Sequence, residues 1–172
     1  MANWTVVLPY THELATWWTE LGLTDLPAQE SAAVTAEQVR QLLHAQGWLP
    51  SEHTYEHEGI PITSFYAQRR ADGAWPPFSE IDVWPDSLSV RHGGYACWVL
   101  AVGASGTCGA LIAWDEGGAG PVLCTPTTSY EQFSRAFGHP SDVERASAWS
   151  LPDDPPPPLP VPTRPSRRLP SR

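Results

Sequence analysis

Three stretches of this chain carry apolar residues at helical spacing behind a residue suited to cap a helix. Thr11 precedes Leu14, Trp17, Trp18 and Leu21, the i, i+3, i+4, i+7 stripe of an amphipathic helix, and Gly22 fits as its left-handed stop. Thr35 with Gln38 reads as a capping box, with Val34 and Val39 at the positions of a hydrophobic staple. Gly47 ends the run that buries Val39, Leu42 and Leu43. Ser129 with Gln132 repeats the capping pattern ahead of Phe133, Ala136 and Phe137, and Gly138 follows.

Between the second and third of these helices the pattern is that of strands. Ile60 to Gln68 is rich in β-formers, and Asp72-Gly73 offers a tight turn before Trp75-Pro76-Pro77. Glu80 to Trp84 alternates acidic and apolar residues, and Pro85-Asp86 turns it into Leu88 to His92. Gly93-Gly94 leads into Tyr95 to Val102, almost wholly apolar and read as a central strand. Gly103 and Gly106 then bracket a turn before a strand from Thr107 to Trp114. Glu116 to Gly120 makes the next turn, before Val122 to Thr125. Short turns between short strands are the antiparallel signature. The expectation is an α+β domain: a single antiparallel sheet of about five or six strands with helices before and after it. Strands apolar on both sides need cover on both faces, and the N-terminal segment or another molecule is left to supply the second. No internal repeat is present.

The composition changes sharply near Ser150. From Leu151 the chain reads LPDDPPPPLPVPTRPSRRLPSR, which proline excludes from any sheet, so residues 1–150 form one domain and 151–172 a disordered Pro/Arg-rich tail. The whole chain has ten Arg, no Lys and nineteen acidic residues, a formal charge of −9. Four Arg against two Asp give the tail +2 and leave −11 for residues 1–150. Such a balance argues against a nucleic-acid binder with a broad cationic face. With 41% hydrophobic and 17% charged residues the chain should fold, and no apolar run is long enough to span a bilayer. The start lacks a cationic leader and is broken by Pro9, which points to the cytoplasm. Cys97, Cys108 and Cys124 are odd in number, lie in apolar segments, and read as buried thiols of a reducing compartment.

Several clusters carry candidate chemistry. His53, Glu56 and His57 spell H-x-x-E-H, which serves zinc hydrolysis when it lies on a helix. Pro50 before it and Gly59-Ile60-Pro61 after it leave too little chain for that helix, and in extended form His53, Tyr55 and His57 share one face. Cys97 and Cys108, with His92 and Asp82 near in sequence, sit in apolar surroundings unsuited to a thiolate. No nucleophile elbow, phosphate loop or dinucleotide fingerprint is present, and no cofactor is expected. Nine Trp residues are more than one core needs, and those at strand ends, such as Trp84 and Trp114, suit an interface. Glu80, Asp82 and Trp84 share one strand face. With Asp86, Asp115 and Glu116 they form either a solvated sheet face or an acidic patch that recognises a basic partner. Pro162-Thr-Arg-Pro165-Ser-Arg167 formally matches a ligand for aromatic grooves, or serves as a solubilising end.

The stretch Cys97–Phe137 reads as a strand, a Gly turn, GALIAWDEGG, the strand VLCTPTTSYEQF and a short Ser/Thr-capped helix, with a late β-hairpin closed by the acidic Gly turn Asp115-Glu116-Gly117-Gly118. It resembles the closing segment of small bacterial immunity proteins, which protect a cell against its own or a neighbour's polymorphic toxin. The resemblance covers about a quarter of the chain and brings no functional residue with it. It implies a cytoplasmic, non-catalytic inhibitor that binds one toxin. The expected function is therefore an acidic binding protein that blocks a basic protein partner, with Asp82, Trp84, Asp86, Asp115 and Glu116 in contact. The alternatives are a metal-dependent hydrolase using His53, Glu56 and His57, and an accessory component tethered by its Pro-rich tail.

Overall fold

The computed structural model describes residues 4–68, 79–91, 94–115 and 121–136. The chain runs β1 (Trp4–Pro9), a 3-10 turn (His12–Leu14) continuing into α1 (Ala15–Glu20), α2 (Ala36–Ala45), β2 (Leu49–His57) and β3 (Ile60–Gln68). It continues as β4 (Ser79–Val83), β5 (Leu88–Arg91), α3 (Gly94–Cys108), β6 (Leu111–Asp115), β7 (Val122–Cys124) and α4 (Tyr130–Ala136). All seven strands join one antiparallel sheet in the order β2-β3-β4-β5-β1-β6-β7. The α+β class stands.

Capping chemistry sets the helix ends. Thr35 Oγ1 accepts from the Gln38 amide at 3.2 Å and Gln38 Oε1 accepts from the Thr35 amide at 2.9 Å, so two orphan donors of α2 are satisfied. Ser129 and Gln132 do the same for α4 at 3.1 and 2.8 Å. Gly22 and Gly47, with φ of +100° and +72°, close α1 and α2. In each case the following residue's amide reaches back five positions, Leu23 to Trp18 and Trp48 to Leu43. At the start of α1 the expected cap is weaker: Thr11 makes no side-chain capping bond. Of the expected stripe on α1, Trp18 is fully buried while Trp17 and Leu21 stay partly exposed.

Two expectations fail. Tyr95 to Val102 is not a strand but the body of α3, and Gly103, Gly106 and Thr107 lie inside that helix, not in a turn or strand. Eleven of its fifteen residues are buried, so it is apolar on every side and has no amphipathic period for the sequence to display. The helix stops at Gly109, with φ +87°, and only Leu111–Asp115 is strand. The N-terminal segment, one of the two candidates for the second cover, is instead a central strand, β1, between β5 and β6.

The sheet is covered unequally. Helices α2, α3 and α4 pack on one face, where Val7, Phe65, Ile81, Leu88, Val90, Leu111 and Cys124 meet Val39, Leu42, Leu100 and Phe133. On the other face α1 and residues Leu23 and Leu26 cover Val6, Leu8, Ile112 and Leu123, which belong to β1, β6 and β7. Seven strands about 4.8 Å apart make a sheet about 29 Å wide. A six-residue helix is about 9 Å long and about 10 Å across. It cannot roof both halves. Among the described residues no helix covers the second face of β2, β3, β4 and β5.

The crossing of α2 and α3 is set by Gly103. A Cβ there would stand 2.5 Å from Leu42 Cδ2, and Leu42 is fully buried. We expect Gly103→Ala to destabilise the protein by about 1 kcal/mol, because overpacking of roughly 1–3 kcal/mol outweighs a helix-propensity gain of up to about 1. In a Leu42→Ala background the same change should stabilise instead. Denaturant unfolding of the four chains checks this, and a cost that persists without Leu42 refutes the steric account.

Candidate functional site

Strand alternation and register determine what the open half-sheet displays. Antiparallel pairing aligns His53 with Ser64, Ser64 with Asp82, Asp82 with Ser89 and Ser89 with Val6 in one row across the sheet. The next row aligns Ser51, Tyr66, Glu80, Arg91 and Trp4. Because opposed residues share a face, His53, Tyr55 and His57 of β2 lie on the same side as Glu80 and Asp82 of β4. The two alternation patterns read separately in the sequence thus meet on one surface. Tyr66, Arg91 and Trp4 join them. Tyr66 was legible as the alternate of Ser64, whereas Arg91 and Trp4 needed the register of distant strands.

These side chains form a connected polar and aromatic layer. Tyr55 donates its hydroxyl to Asp82 Oδ2 at 3.3 Å, and Tyr66 donates to Glu80 Oε1 at 3.1 Å. Arg91 pairs with Glu80 at 3.2 Å and lies over the Trp4 ring at 5.5 Å. The His53 ring lies nearly parallel to both Tyr55 and Tyr66, with centroids 5.8 and 5.9 Å away, and His57 meets Trp84 edge-on at 5.8 Å. Tyr55 and Tyr66 are each 38% exposed, whereas Asp82 beneath them is 8% exposed. Asp82 Oδ1 is buried and has no hydrogen-bond partner, and Arg91 Nε is in the same state.

Of the other expected contacts, Trp84 stays at this face, half-buried just past the end of β4 beside His57, and the rest are scattered. Asp86 is 2% exposed within the β4–β5 turn, which the Trp84 amide closes onto the Ser87 carbonyl at 3.0 Å, and Ser87 Oγ donates to Asp86 Oδ1 at 3.4 Å. Asp115 is paired with Thr5 in the register of Val7 and Ala113, so it lies on the helix-covered face, opposite to Asp82. Glu116 lies outside the described residues, as do the Trp75 turn and the tail.

The H-x-x-E-H segment is strand, not helix, as its flanking prolines and glycine require. Glu56 therefore faces away from His53 and His57, and those two are about 13 Å apart along the strand. Among the described residues no group of three His, Cys, Asp or Glu is placed to hold a metal, and no helix is long and apolar enough to cross a membrane. The cysteines lie on α3 and β7, not on two strands as expected for Cys97 and Cys108, and all three are buried free thiols. Burial pushes the Cys97 thiol well up, aided by nearby Cys124 and Asp115, and pushes Cys124 up to about 12. What the open face offers is carboxylate acceptors and π surfaces, which suit a cationic or donor-bearing group.

Two measurements check this chemistry. Burial, then the adjacent Asp82 carboxylate and its hydrogen bond, push the Tyr55 phenol up to about 12. Between the ordinary tyrosine value of about 10 and that value the unfolded chain sheds a proton that the fold keeps, so stability falls as pH rises through this window. In an absorbance titration at alkaline pH, Asp82→Asn should return one tyrosine toward its ordinary range, and an unmoved titration overturns the assignment. The three thiols should resist a thiol reagent in the native protein and react at the rate of unfolding, whereas prompt labelling of any of them contradicts their burial. No family model matches the chain, and no curated protein or solved structure matches it either.

Proposed function

We propose that this protein is a non-catalytic acidic binding protein of immunity or inhibitor type, which neutralises a basic protein partner such as a bacterial toxin in the cytoplasm. The observation that carries this reading is one of charge. Among the described residues thirteen carboxylates stand against three arginines, a formal −10. Each of the three arginines is already paired: Arg40 with Glu37 and Glu52, Arg91 with Glu80, and Arg135 with Glu131. With every cation among the described residues engaged, their net negative field attracts a basic protein over a Debye length of about 8 Å and repels an acidic one. The open half-sheet adds the aromatic area that a desolvated contact requires, with Asp82 and Trp84 in it. Asp86, Asp115 and Glu116 contribute to the field that steers encounter. The likeness of Cys97–Phe137 to immunity proteins points to the same class.

The product of the adjacent gene, purified and mixed with the full chain, tests the reading. A complex should form whose association slows as salt rises from about 0.05 M to about 0.5 M. Glu80→Gln should weaken it more than Asp115→Asn, since only Glu80 lies on the open face. Binding that ignores salt, or that depends on Asp115 in preference to Glu80, overturns the proposal.

A further inference from the structure

The open face holds one group whose bonding is incomplete. Asp82 is more than nine-tenths buried, its Oδ2 is engaged by Tyr55, and its Oδ1 has no partner. A buried acceptor left unsatisfied is costly, more so when charged, so such a group marks a place where a ligand donor is missing. Aromatic side chains are ordered beside it. Along the strand direction Tyr66 and Tyr55 stand on either side of His53, and His53 occupies the same row as Ser64 and Asp82. The three rings are near parallel, tilted by 17° and 25°. Each tyrosine hydroxyl is tied to a carboxylate, Tyr55 to Asp82 and Tyr66 to Glu80. Tyr55, Tyr66 and Asp82 therefore frame the position that the exposed His53 side chain, on an edge strand, now occupies, and a slot opens there only when His53 moves aside.

We propose that this slot is a receptor for one arginine side chain of the basic partner, seated between Tyr55 and Tyr66 and donating to Asp82 Oδ1. The inference rests on the reading of the protein as an acidic binder and names the group its partner must present. Arginine fits better than lysine. Its guanidinium is planar, stacks on aromatic faces, gives up hydration more readily, and has donors left for Glu80 after meeting Asp82. Exposed side chains rotate on the ps–ns scale, so the His53 imidazole can swing out to admit it.

Titration of the isotope-labelled full chain with a capped arginine amide, against the isosteric but uncharged citrulline amide, reads the slot directly. The arginine probe should shift the Tyr55 and Tyr66 ring resonances saturably at about millimolar affinity. Citrulline should bind about tenfold more weakly, and so should arginine to Asp82→Asn. His53→Ala should bind arginine at least as tightly as the native chain, because no imidazole has to leave first, and a loss of binding in this variant overturns the proposal. Equal shifts from citrulline, or shifts that survive in folded Asp82→Asn, overturn the proposal. Should Asp82→Asn fail to fold, Tyr66→Ala replaces it: several-fold weaker binding supports the slot and unchanged binding refutes it. An intact complex with the adjacent-gene product but no arginine effect removes the slot and leaves the binding reading standing, and an arginine effect with no complex does the reverse.

Discussion

A wide sheet has two faces to cover, and among the described residues there is enough helix for one and a part of the other. That shortage governs the molecule. The largely buried α3, crossed by α2 at Gly103, uses the helical material on the side where Phe65, Ile81, Leu88 and Leu111 point inward. Only the short α1 and its following loop remain for the opposite side, and Trp18 takes them to the β1, β6 and β7 end. The half formed by β2 to β5 keeps its polar rows because no helix among the described residues lies over them.

The helix layer is held to the sheet by polar bonds as well as by packing. Gln38 closes the capping box of α2 and is itself fully buried, with its Nε2 donating to Thr107 Oγ1 at 3.3 Å near the end of α3. Ser31 links three distant segments. Its amide donates to the Tyr10 carbonyl, its hydroxyl accepts from the Tyr10 amide and donates to the Ala110 carbonyl, and the neighbouring Ala32 amide donates to the Cys108 carbonyl. One serine thus satisfies backbone groups at the end of β1 and between α3 and β6, which would otherwise be orphaned inside the fold. These bonds fix where α1 can reach, and so which half of the sheet stays open.

On that open half the side chains replace a helix as cover. Tyr55 and Tyr66 shield Ser64 and Asp82 while remaining themselves partly exposed, and their hydroxyls are the first partners of the two carboxylates. Such a surface keeps bonding capacity to offer, since Asp82 Oδ1 and Arg91 Nε in it have no hydrogen-bond partner. That side-chain cover is the physical reason that charge and aromatic area coincide at one place on the molecule.

Local chemistry made much of this legible from the residues alone. The capping boxes at Thr35 and Ser129, the stops at Gly22 and Gly47, the strands at Ile60 and Glu80, and the one-sided sets His53, Tyr55, His57 and Glu80, Asp82, Trp84 all follow from interactions within a few positions. Tertiary structure decided the rest. A segment apolar all round, such as Tyr95 to Val102, is equally a buried helix or a buried strand until the elements around it are placed. Strand order put β1 between β5 and β6, and no local signal encodes which distant edge a strand joins. Register then brought Tyr55 to Asp82 and carried Asp115 to the other face, because pairing across strands, and not spacing along the chain, determines which side chains meet.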